Sequence, residues 1–151
     1  MAEKVITFKV YPEKQGRNFG WYFVIKIYPD KETFNHAVNK RGHENLEFTR
    51  GLTTCHQAFL VSENGTEERK QDIGHIHLYR DCLGSETISH EATHAAIGWA
   101  REVEINPLDI FNMDGSGNVT DENERFCYAQ GQITRQIVEK CYELNLYSEN
   151  K

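Results

Sequence analysis

No apolar run in this 151-residue chain approaches the ~18 residues of a membrane span, so no spanning segment is expected. Near the start, Val5 and Ile6 are followed at once by Thr7 and Lys9, which leaves no room for the hydrophobic region of a secretory leader. No basic run exceeds Arg69-Lys70, and 17 basic against 23 acidic side chains leave a net charge of −6. That balance lacks the positive field that binding a phosphate backbone requires, so neither a nucleic-acid nor a membrane partner is expected. Cysteine is sparse, at positions 55, 82, 127 and 141, with no C-x-x-C pair. In a reducing cytoplasm, the compartment expected here, these read as free and mostly buried thiols. Cys127 and Cys141, placed on one helix, would stand about 21 Å apart and could not bridge each other.

What is present suits one domain spanning 1–151, because 38% hydrophobic residues support a single modest core. Val5 to Tyr11 and Trp21 to Tyr28 read as strands, with Gly16 and Gly20 punctuating the connection. Asp30 is expected to cap a short helix with the stripe Phe34, Ala37, Val38, closed by Gly42. Thr53 to Val61 reads as one further strand. Asn64-Gly65 is a hairpin signal, and the charged run Glu67 to Lys70 suggests a longer solvated connection after it. Ile73 to Tyr79 returns as a strand, with Ile73, His75, His77 and Tyr79 on one side and Ile76 and Leu78 on the other.

The second half reads as helix. Ser85 is expected to cap an amphipathic helix over 85–104 whose stripe is Ile88, Ala92, Ala95, Ala96, Trp99 and Val103, with Pro107 marking its end. Thr120 is expected to cap a final helix over 120–146, carrying Phe126, Ile133, Ile137, Cys141 and Leu144. Strands first and long helices last predict an α+β domain with a small mixed or antiparallel sheet. The stretch Asn112 to Asn123 imitates a calcium loop. It ends on Asn123 where a bidentate glutamate belongs, and it reads as a turn-rich connection.

One constellation carries chemistry: His90-Glu91-Ala92-Thr93-His94, an H-E-x-x-H inside the predicted helix. Four residues of helix bring His90 and His94 to within about 40° of each other, one turn apart. Two imidazole nitrogens can then meet one Zn²⁺ at about 2.0–2.1 Å. Glu91 lies about 60° round from His94, near enough to reach an activated water without ligating the metal. Chance composition supplies such a motif only about 0.04 times in a chain of this length, so a metal site is preferred to a pair of ordinary surface histidines. Small residues at Ala92, Thr93, Ala95 and Ala96 leave the histidines uncrowded. His36 and His56 have no partner at ligand spacing and read as ordinary histidines.

The histidine motif, followed by Asn123-Glu124-Arg125-Phe126-Cys127-Tyr128 and Gly131, resembles a small gluzincin-type zinc metallopeptidase of phage or prophage origin. The resemblance covers roughly 75–135. It implies a minimal zincin-like domain, a phage protein acting in the cytoplasm of a bacterial host, with a peptide or protein as substrate. Hydrolysis would proceed through a zinc-activated water, with Glu91 as general base. The resemblance also implies a glutamate of the final helix as third ligand. Glu124 is the matching position and Glu122 the alternative, although Cys127 stands where a small residue is usual and Arg125 flanks the glutamate. Gly131 would let the final helix pack closely on the active-site helix. No histidine follows His94, which excludes the three-histidine metzincin pattern. By the same resemblance, Ile73 to Tyr79 would be the edge strand on which an extended peptide lies. His75, His77, Tyr79 and Tyr128 are then candidates for transition-state or substrate contacts. The alternative function is a zincin-fold binding module of a mobile element that sequesters a host protein without hydrolysis.

Overall fold

A computed structural model of the chain describes residues 4–13, 20–39, 49–56, 59–61, 67–69, 71–106 and 120–147. Six strands precede two long helices, and the domain is α+β, as the order of patterns predicts. β1 (Ile6–Val10) pairs antiparallel with β2 (Tyr22–Tyr28). After the helix α1 (Lys31–Asn39) come β3 (Leu52–Cys55) and a separate two-stranded ribbon of β4 (Phe59–Val61) and β5 (Glu67–Arg69). β6 (Asp72–Tyr79) pairs parallel to β2 and antiparallel to β3, so the mixed sheet has the order β1-β2-β6-β3.

Three expectations change here. Thr53 to Val61 is two strands in two sheets, because the chain leaves β6 after the His56 N–H bond to the Ile73 carbonyl, and β4 pairs with β5. Glu67 to Arg69 is strand rather than solvated connection, since antiparallel pairing with β4 outweighs its weak intrinsic preference. Ile73 is the extra residue of a bulge against Tyr22 and Phe23, so it joins the same core as Ile76 and Leu78. Gly16, Gly42, Asn64-Gly65, Lys70, Pro107 and the loop 112–119 lie outside the described residues.

The helices divide between the two faces of the sheet. α1 is capped by Asp30, whose carboxylate accepts the Thr33 N–H at 2.7 Å. That bond holds the carboxyl below its usual range. Phe34 and Val38 of α1 cluster with Tyr28 and Tyr79 on one face. The opposite face carries α2 (Ser85–Glu102) and α3 (Asp121–Glu143) over Phe23, Ile25, Ile27, Ile76 and Leu78. Ile88, Ala92, Ala95, Ala96 and Trp99 are fully buried there. Each large side chain among them contributes roughly 1.5–3 kcal/mol. The alanines therefore serve close packing, on the side of α2 away from the histidines.

Thr120 caps α3 by accepting the Asn123 N–H at 3.0 Å. Ser85 does not cap α2: the cap position is Gly84, and Ser85 is the first helical residue. Of the cysteines only Cys141 is buried, while Cys127 is exposed on α3.

Candidate metal centre

α2 approaches β3 closely at Gly98, where an added Cβ would collide with Cys55 Sγ. This close approach sets β3 against the flank of α2 that carries Glu91. The Thr53 hydroxyl donates to Glu91 Oε2 at 2.7 Å and lies 3.1 Å from the Glu91 carbonyl oxygen. Gly51 leaves the space that the carboxylate fills, since a Cβ there would stand 2.9 Å from Glu91 Cγ. Glu91 is only 4% exposed, and a buried carboxylate needs such a donor.

His90 and His94 project from the solvent side of the same turn. Their Nε2 atoms are 3.2 Å apart, within hydrogen-bond distance, with the rings at 73°. Two nitrogens bound to one tetrahedral Zn²⁺ at 2.0–2.1 Å would be separated by about 3.3–3.4 Å. The pair fits that edge. Glu91 Oε1 lies 3.9 Å from His90 Nε2, somewhat longer than that edge. Ligand atoms of the three residues fall within 4.8 Å of one another, and no other His, Cys, Asp or Glu among the described residues joins them. A cavity of about 290 Å³ opens beside the group, lined by Thr49, Arg50, Gly51, Glu86, Thr87, His90 and Glu91.

Glu124 is not brought to the histidines. α3 meets α2 through Ser89, whose hydroxyl and carbonyl lie 3.3 and 3.5 Å from Gln130 Nε2. His90 follows Ser89 and points about 100° further round α2, away from α3. Glu124 is exposed. It lines an outer groove with Cys127, Tyr128, Gly131 and Arg135, and a second one with Trp99, Glu13 and Arg125. Glu122 lies near Arg125, whose guanidinium is held by Glu13 at 2.9 Å and stacks 5.2 Å from the Trp99 ring. Tyr128 is 68% exposed on that ridge. Gly131 faces open space, with nothing within 4 Å of an added Cβ, so it does not serve helix–helix contact.

The sheet stands between the metal candidates and the other predicted contacts. β6 is flanked by β2 and β3 and is not an edge; β3 holds the end position in the strand order. His77 is buried on the α1 face and shares a 2.9 Å hydrogen bond with Tyr28. Tyr79 packs on Phe34, and burial with a hydrogen bond from Cys82 pushes its phenol up to about 12. His75 and His56 each contact a different oxygen of Asp72 at 3.1 Å, at the far end of the strand.

No family model, curated protein or solved structure matches the chain. The chemistry of the site therefore rests on its own geometry. Sequence reasoning missed Thr53 and Gly51, because nothing in local pattern links 51–53 to the helix that begins at Ser85. Among the described residues no helix is long and apolar enough to cross a membrane.

Proposed function

We propose that the protein is a zinc-dependent metallopeptidase in which His90 and His94 hold the metal and Glu91 is the general base. The observation that carries this reading is the 3.2 Å convergence of the two Nε2 atoms beside a buried carboxylate fixed by Thr53. A bound Zn²⁺ would supply Lewis-acid polarisation of a carbonyl and acidify water toward a pKa of about 7. Glu91 Oε2 is engaged by Thr53, so Oε1 is the oxygen left to take a proton from the attacking water. The same carboxyl group then returns that proton to the departing amine nitrogen. A peptide as substrate follows from the resemblance of the H-E-x-x-H segment and from the cavity alongside it.

The test compares the zinc-loaded wild type with Glu91→Gln on a mixture of peptides. Glu91→Gln should keep its zinc and lose at least about 10²-fold in hydrolysis. Hydrolysis that persists undiminished in Glu91→Gln overturns the mechanism. Capture of peptides by both forms, without cleavage by either, favours the binding module.

A further inference from the structure

The outermost side of α2 carries a stripe of its own. Glu86, His90, His94, Ile97 and Arg101 follow at spacings of three and four, so they fall within about 80° of one another round the helix. All five are exposed, and Ile97 is one of the few large apolar side chains left outside the core. β3 flanks the stripe on its Glu91 side and α3 on its Ser89 side, which makes it a ridge. The two imidazoles stand at its middle, and among the described residues only Glu91 joins them as a further metal-binding group. A tetrahedral zinc on this pair has imidazole at two corners and needs other ligands to close. The ridge is also self-complementary. Turned about a two-fold axis through the midpoint of the two histidines, at Ala92, it meets its own copy antiparallel. Glu86 lies six residues before that midpoint and Arg101 nine after it, about 9 and 13.5 Å along the axis. The acid of one copy then comes within about 4.5 Å, along the axis, of the arginine of the other, a gap that two long side chains span. Within its own chain Arg101 has only a 3.8 Å contact with Glu102, so donors remain.

Resting on the assignment of the metal to His90 and His94, but not on the role of Glu91, we propose that this ridge docks a second copy of the chain, antiparallel, through one shared zinc ion. His90 and His94 of both copies complete a tetrahedral site of four imidazoles. Ile97 adds apolar surface beside the centre, and the two Glu86–Arg101 pairs close the ends. A site with four protein ligands is shut to water, as structural zinc sites are, so the dimer is a resting form of the hydrolase. Zinc in excess gives each chain an ion of its own, and by mass action the pair separates into monomers with open coordination positions.

The experiment is sedimentation velocity on the full-length wild type, metal-free and then titrated with zinc chloride. The expected mass is that of a monomer without zinc, about twice that near one ion for two chains, and a monomer again in excess zinc. His90→Ala and His94→Ala should each stay monomeric throughout. Glu86→Lys and Arg101→Glu should each weaken the dimer roughly fivefold, because either change removes two symmetry-related pairs. Combining the two reversals should restore it. Circular dichroism melts of the metal-free variants verify that they are folded. Zinc bound by a monomer at every ratio, a dimer indifferent to both charge reversals, or a dimer that forms without zinc overturns the proposal. Peptide hydrolysis is read in the same samples. Hydrolysis by a zinc-loaded monomer at every ratio removes the dimer and leaves the hydrolase standing. A zinc-bridged dimer whose monomers in excess zinc cleave nothing does the reverse. A chain that binds no zinc overturns both.

Discussion

Thr53 and Glu91, 38 residues apart in the chain, meet in a 2.7 Å hydrogen bond from hydroxyl to carboxylate. This bond satisfies a buried anion and fixes the rotamer of the proposed base. Removing it leaves the carboxylate short of a donor, at a cost of about 1–3 kcal/mol. Thr53→Val should therefore lower the unfolding free energy by that amount, and Thr53→Ser by clearly less. Urea denaturation measures both, and a Val variant as stable as wild type would contradict the role assigned to the hydroxyl.

Metal binding should depend on the histidines and not on Glu124. His90→Ala and His94→Ala should each sharply weaken Zn²⁺ binding, while Glu124→Gln should not, because that side chain projects from the outer ridge of α3. Chelation should lower the Tm of the wild type, since a ligand that prefers the native state stabilises it. Metal analysis with thermal melts decides these points. Zinc lost in Glu124→Gln would place that residue among the ligands after all.

Two glycines should respond oppositely to alanine. At Gly98 the added methyl would collide with Cys55 Sγ, and overpacking of this kind costs about 1–3 kcal/mol. Gly131 lies within α3 with open space around it, so Gly131→Ala should stabilise by about 0.5–1 kcal/mol. Removing the sulfur with Cys55→Ala should recover part of the Gly98→Ala loss. Melting curves for the three variants and the double variant test the set.

Tyr79 predicts an alkaline limit. Its phenol is raised from 10.0 to about 12, first by burial and then by the Cys82 hydrogen bond. A raised folded-state value means that the contribution is complete below pH 10 and is lost as the pH climbs toward 12. Tyr79→Phe should therefore show a shallower fall of stability across that window. Tyr147, also raised by burial, should supply what alkaline sensitivity remains. Urea midpoints from neutral to strongly alkaline pH check this, and identical slopes for wild type and Tyr79→Phe would exclude Tyr79.

Periodicity made the framework readable: the stripe from Ile88 to Trp99 and the β-rich run Trp21 to Tyr28 both lie where their spacing put them. Caps were legible where a side chain could reach a free N–H, as at Asp30 and Thr120, and not at Ser85, where backbone geometry alone begins the helix. His90, Glu91 and His94 were legible because four residues of helix dictate their convergence. The remainder of the site depends on which strand pairs with which. Nothing local tells that β3 rather than β6 ends the sheet, so Thr53 was invisible, and His75, His77 and Tyr79 drew attention that belongs to the other face.

β3 has four residues and a ladder to β6 alone among the described strands, whereas Glu91 sits on an 18-residue helix anchored in the core. The two halves of the site thus belong to regions of unequal local stability. An opening confined to β3 would separate Thr53 from Glu91 while leaving the histidines together on intact helix. Readiness to hold metal and readiness of the base would then be distinct properties of the molecule, the first surviving fluctuations that interrupt the second. Amide exchange at Thr53 and Cys55 faster than at Ala92 to Ala96 would be the visible sign of that division.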